Sequence, residues 1–169
     1  MKSRLLCMVW ACVGVALLAV AAGAETVSGV ATSGGRVYSY LADGSRPSRA
    51  VLMWAKKGTD VDLAVFADDS PDPIPVAIGI GSEDRLEVVE HGAVAGALYF
   101  VVVQKFSGPN SKFYANVSTQ GSEGLSRRAG LRSVGSLAAL AARDPYFERM
   151  RELMDAARSH KSRRPTPAE

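Results

Sequence analysis

Residues 98–106 read Leu-Tyr-Phe-Val-Val-Val-Gln-Lys-Phe. Every residue from Leu98 to Val103 is apolar, so a strand laid over this stretch is greasy on both faces. Such a strand belongs at the centre of a sheet, covered from both sides. Its aromatic and β-branched content favours strand over helix. Working outward, Ser107-Gly-Pro-Asn-Ser111 turns the chain into 112–118, where Phe113, Ala115 and Val117 alternate with Tyr114 and Asn116. Alternation of this kind marks a strand with one buried face.

Upstream the same grammar repeats. Short β-branched runs at 26–30, 36–41, 50–56, 61–67, 76–80 and 85–90 are separated by Gly, Asp, Ser and Pro. In 61–67, Val61, Leu63 and Val65 share one face and Asp60, Asp62 and Ala64 the other. Lys57-Gly58-Thr59 predicts a hairpin that pairs 50–56 with 61–67. Three prolines in 70–75 confine that stretch to a loop or sheet edge. About eight such strands in a hundred residues predict a mainly β protein, an antiparallel β-sandwich.

Past residue 120 the pattern changes. Residues 121–132 are expected to form a linker, and Ser133–Arg143 a short Ala/Leu helix. Asp144-Pro145 is a helix start, an N-cap residue followed by proline at the first helical position. Phe147, Met150, Leu153 and Met154 then recur at three- and four-residue spacing, one apolar stripe on a helical tail that spans 133–160 with its preceding helix. Residues 161–169, basic and then Pro-rich, are expected to be disordered.

The other end of the chain sets the expected compartment. Lys2 and Arg4 precede an uncharged, largely apolar run from Leu5 to Ala22, which ends in Ala22-Gly23-Ala24. A cationic start, an apolar middle and a small-residue exit are the parts of a secretory signal peptide, with cleavage expected after Ala24. The expected localisation is secreted or periplasmic. Cleavage removes both cysteines, Cys7 and Cys12, so the exported chain has no disulfide to lean on. Residues 25–126 carry 8 Lys/Arg against 12 Asp/Glu, and residues 127–169 carry 10 against 5. A basic tail on an acidic body suggests self-docking, an anionic partner or a membrane surface. Nucleic acid is not expected, because the strands lack interleaved basic and aromatic residues.

Four stretches in order, Ala50-Val-Leu-Met-Trp54, Thr59-Asp-Val-Asp-Leu-Ala-Val65, Gly96-Ala-Leu-Tyr-Phe-Val-Val-Val103 and Phe113-Tyr-Ala-Asn-Val117, resemble the bacterial pre-peptidase C-terminal (PPC) domain. The resemblance covers about residues 25–120. It implies a compact, jelly-roll-like β-sandwich. Such domains are appendages of secreted proteins that assist targeting, substrate binding or export rather than catalyse a reaction.

Candidate chemistry is sparse. Asp60 and Asp62, with Asp68, Asp69 and Asp72 after them, offer hard oxygen atoms that could hold calcium, although the spacing of an EF-hand is missing. No other cofactor is expected. His91, in Glu90-His-Gly92, could serve a small hydrolase with a serine or aspartate, yet no Gly-x-Ser-x-Gly elbow accompanies it. The stripe Phe147, Met150, Leu153 and Met154 has three readings: packing on the body, docking a protein partner, or lying on an anionic membrane. The reading that follows is an exported, non-catalytic binding or accessory module with a helical docking tail. Its ligand is an unidentified protein or polysaccharide. The alternative is an envelope-associated protein held to a membrane or complex through that tail.

Overall fold

The computed structural model describes residues 26–42, 47–79, 85–120 and 126–161. The leader and the residues after 161 lie outside this range. Ten strands come first, β1 (Val27–Ala31), β2 (Arg36–Leu41), β3 (Pro47–Trp54), β4 (Asp60–Ala67), β5 (Ile74–Gly79), β6 (Leu86–Gly92), β7 (Leu98–Ser107), β8 (Ser111–Gln120), β9 (Ser126–Ala129) and β10 (Arg132–Gly135). Two helices follow, α1 (Leu137–Ala141) and α2 (Pro145–Lys161).

The first eight strands pair as a nested set: β1 with β8, β2 with β7, β3 with β6 and β4 with β5, all antiparallel. That is one long ribbon folded back on itself at the β4–β5 turn. Rolling the ribbon adds the β3–β8 and β4–β7 pairings and yields two sheets, β1-β8-β3-β6 and β2-β7-β4-β5. This strand order is that of a jelly roll. β9 continues the β1 side of β8, and β10 extends the second sheet beyond β2.

The hairpin expected between 50–56 and 61–67 does not form. β3 and β4 lie in different sheets, and among β1–β8 only the β4–β5 connection stays within one sheet. The intervening residues form an arch instead, pinned where the Trp54 indole N–H donates to the Thr59 carbonyl at 2.6 Å. The β7–β8 connection is an arch too, and the two press together. Gly108 has φ +77°, and a Cβ there would come within 2.1 Å of the Gly58 carbonyl oxygen. Only glycine fits this crossing.

The expected linker at 121–132 is also partly ordered into strands. The free edges of β8 and β2 offer unpaired backbone groups, and β9 and β10 satisfy them. β10 thereby takes residues 132–135, which leaves α1 shorter than the 133–143 expected.

Burial falls into two apolar clusters. One fills the space between the sheets, with Tyr40, Leu52, Leu63, Val65, Val101 and Phe113 among its buried residues. The other lies on the outer face of the β2-β7-β4-β5 sheet, where Val37, Ala64, Phe66, Phe100 and Val102 meet Leu137, Met150 and Met154. The molecule is therefore three layers: sheet, sheet and helices. This explains the doubly apolar 98–103, because β7 is covered on one face by the opposite sheet and on the other by α2. The expected cap is present: the Asp144 carboxylate accepts from the Tyr146 amide at 2.9 Å. Among the described residues, no helix is long and apolar enough to cross a membrane.

Candidate functional site

The stripe singled out as a partner surface faces inward. Met150 and Met154 are fully buried, and Phe147 and Leu153 pack at the margin of the same cluster. Phe100 meets Phe147 edge to face at 5.5 Å. The physical reason is the bare outer face of β4 and β7, which needs an apolar cover that the chain itself supplies. Met150 and Met154 are thus closed to a partner, while Phe147 and Leu153 stay partly exposed at the margin.

Asp62 faces the same helix. It is buried, and its Oδ2 accepts from Arg158 Nε at 3.2 Å. Arg158 also donates to Asp155 at 3.0 Å and lies 5.8 Å from the centre of the Phe106 ring. Among the described residues, the cation that meets Asp62 is the Arg158 guanidinium. Asp68, Asp69 and Asp72 follow the far end of β4, about 20 Å or more along the strand from Asp60. The acidic residues that could have shared a calcium ion are therefore spread along the strand. Among the described residues, no cluster of three or more His, Cys, Asp or Glu side chains could hold a metal.

His91 points into the core from β6. Its Nδ1 lies 3.0 Å from the Gly92 carbonyl and its Nε2 2.6 Å from the Tyr40 hydroxyl. A carbonyl only accepts, so Nδ1 carries the proton and the Tyr40 hydroxyl donates to Nε2. Tyr99 stacks on Tyr40 at 5.2 Å and meets His91 at 4.8 Å. Ser48, directly across the β3–β6 ladder, is fully buried. Serine and histidine are neighbours across the ladder, but the Ser48 hydroxyl makes no hydrogen bond to the imidazole. Moreover, His91 is 7% exposed, both its nitrogens are engaged, and the group orienting Nδ1 is a backbone carbonyl rather than a carboxylate.

Burial lowers the His91 pKa below its ordinary 6.5, partly opposed by the Gly92 carbonyl. Above pH 6.5 the imidazole is neutral whether the chain is folded or not. Below it the unfolded chain takes a proton that the folded chain refuses, so stability falls with pH until the folded-state value is reached. Urea midpoints measured from pH 8 to pH 5 should decline below pH 6.5, with a slope of up to about 1.4 kcal/mol per pH unit. The same series on His91→Gln should lose most of that slope, and an unchanged slope would place its origin elsewhere.

An open cleft sits where the two sheets part, between β1 and the β2–β10 edge. It measures about 500 Å³ and is lined by Thr26, Val27, Ser28, Gly29, Arg36, Tyr38 and Ser133. Its floor depends on Gly29. A Cβ there would come 3.0 Å from the Phe113 ring, which lies edge to face with Tyr38 at 6.3 Å. Tyr38 is mostly buried, which raises its pKa, and the neighbouring Arg36 cation draws it partly back. Arg36 itself is exposed and forms no ion pair among the described residues. The cleft therefore presents one cation, an aromatic floor and several hydroxyls. The sequence alone does not reveal it, because its walls come from β1, β2 and β10, and residues 132–135 carry the composition of a linker running into a helix.

No family model and no curated protein matches this sequence. Among solved structures, the chain is similar to the crystal structure of the Yersinia pseudotuberculosis-derived mitogen, at 13% identity and a TM-score of 0.43, over 56% of this chain and 83% of that one.

Proposed function

We propose that this chain is an exported, non-catalytic binding or accessory module of PPC-like type, whose ligand occupies the cleft between β1 and β10. The observation that carries the reading is the contrast between interior and cleft. His91, Asp62 and Ser48 are buried away from any opening, whereas Arg36 and Ser133 line an open concavity floored by the largely buried Tyr38 ring. Hydroxyls, a guanidinium and an aromatic floor suit a polyhydroxylated ligand, which favours a polysaccharide over a protein. The alternative, a membrane held through α2, requires the helix to give up its contacts with the sheet.

Isothermal titration of the processed protein with soluble polysaccharides tests this. Arg36→Ala and Tyr38→Phe should each weaken binding by about tenfold, the scale of one lost hydrogen bond to a charged or buried group. His91→Gln should leave the affinity unchanged. Binding that ignores both cleft substitutions, or no binding by any polysaccharide, would defeat the proposal.

A further inference from the structure

The two sheets differ in their outer faces. That of β2-β7-β4-β5 is covered by helices, and among the described residues no element covers that of β1-β8-β3-β6. On that face β6 has partly inverted polarity. Leu86 and Val88 point to solvent at 47% and 45% exposure, while Glu87 and His91 point into the core beside the single apolar Val89. A register shift of one residue would bury these two apolar side chains and expose one, Val89, so burial of apolar surface does not explain why Leu86 and Val88 are outside. Their neighbours across the ladder extend the patch. Met53, 50% exposed, pairs with Leu86 on one side and with Tyr114, 51% exposed, on the other, and Val51 pairs with Val88. Contiguous exposed apolar surface of this kind marks an interaction site.

The charges around the patch identify its partner. At the end of the sheet beside Met53 and Leu86 stand Lys56, Arg85 and Lys112, tied together by backbone bonds. The Ala55 amide donates to the Lys112 carbonyl at 2.9 Å, the Lys56 amide to Ser111 Oγ at 2.9 Å, and the Trp54 amide to the Arg85 carbonyl at 3.1 Å. At the opposite end, Arg49 and Glu90 neutralise each other with Nε to Oε1 at 2.7 Å. Among the described residues, Glu90 is the one carboxylate on the outward positions of these strands. Apolar side chains in the middle and, at one end, cations that form no ion pair among the described residues are complementary to an anionic bilayer surface, where the former enter the headgroup boundary and the latter meet phosphate. A second copy fits less well. Four strands about 4.8 Å apart and seven residues long present roughly 400 Å², about half of what each partner gives to a standard interface.

We infer that the outer face of the β1-β8-β3-β6 sheet docks on anionic lipid, with Met53, Leu86, Val88 and Tyr114 entering the interface. This contact is separate from the cleft and from α2.

Co-sedimentation of the processed protein with vesicles of 30% phosphatidylglycerol in phosphatidylcholine tests it. Binding is expected to the anionic vesicles, not to pure phosphatidylcholine, and to weaken in 0.5 M salt. Met53→Ser with Leu86→Ser should reduce it tenfold or more, as should Lys56→Glu with Lys112→Glu. Both variants should keep the parent melting temperature, since all four side chains are exposed. The inference is overturned if the anionic vesicles do not bind, or if both face variants bind like the parent while Arg163→Ser with Arg164→Ser does not. It is equally overturned if the parent sediments as a dimer that Met53→Ser with Leu86→Ser dissolves.

Discussion

Replacing Met150 and Met154 together with alanine is expected to lower the stability of the whole protein by about 4 kcal/mol or more. Each side chain is fully buried against the β4–β7 face, and a buried Met→Ala substitution costs about 2–5 kcal/mol through lost transfer energy and the cavity left behind. The two cavities adjoin, so the costs need not add. Against the roughly 5–15 kcal/mol that holds a typical domain together, the loss is large. The measurement is urea unfolding followed by two probes. Trp54 reports from the sandwich interior, the layer furthest from α2, and far-UV circular dichroism reports the helix. If the helix is the third layer of a single core, both probes shift together and by the same amount. A chain ending at Arg143 should fare worse, because Phe66, Phe100 and Val102 would meet water at once. A truncated protein that stays soluble with the parent's midpoint would make α2 a detachable appendage and restore the docking-tail reading. Exposed Glu152→Ala is the control and should move the midpoint by less than about 0.5 kcal/mol.

The sequence made the strands legible but not the connections between them. Residues 98–103 announce a central strand because apolar side chains fall on both parities, and β7 sits between β2 and β4 as that demands. Alternation along 61–65 correctly sorted Val61, Leu63 and Val65 from Asp62 and Ala64. What alternation cannot say is which strand lies alongside. A glycine turn such as Lys57-Gly58-Thr59 is compatible with a hairpin or an arch, and the choice is made by partners fifty residues away, among them Gly108 against Gly58. The site was harder still. His91 sits in a Glu-His-Gly stretch that reads as a solvated turn, yet the β3–β6 register draws it inside to meet Tyr40. β6 also inverts the rule that alternation relies on, since its apolar Leu86 and Val88 lie outside and its Glu87 inside. That carboxylate is housed because Gly79 has no side chain: a Cβ there would come within 2.5 Å of it. No local signal in either segment reveals the other. The Asp62–Arg158 pair spans 96 positions, and it was visible only as an acidic body joined to a basic tail.

That pair carries the second large expected effect, and the effect is asymmetric. Asp62 is anchored in the middle layer, 4% exposed at its side chain, and cannot reach water without unravelling β4. Arg158 is 14% exposed, has Asp155 as a second carboxylate, and can extend its head toward solvent along the helix surface. Removing the cation should therefore hurt more than removing the anion. Arg158→Met, which keeps the apolar stem over Phe106, leaves a buried carboxylate without its guanidinium and should cost about 3–5 kcal/mol. Asp62→Asn should cost less, about 1–3 kcal/mol, because an amide has no charge to desolvate and Arg158 keeps Asp155. The decisive variant is the double replacement Asp62→Leu with Arg158→Met. Apolar residues of similar volume remove both desolvation penalties at once, and its stability should lie within about 1 kcal/mol of the parent or above it. Urea midpoints of the four proteins close the cycle. Salt at 0.5 M should change the coupling little, since a buried pair is poorly screened. If Arg158→Met costs under 0.5 kcal/mol, or the double variant is as unstable as the worse single one, Asp62 is not held by Arg158 in solution. The docking of α2 then rests on its apolar face alone.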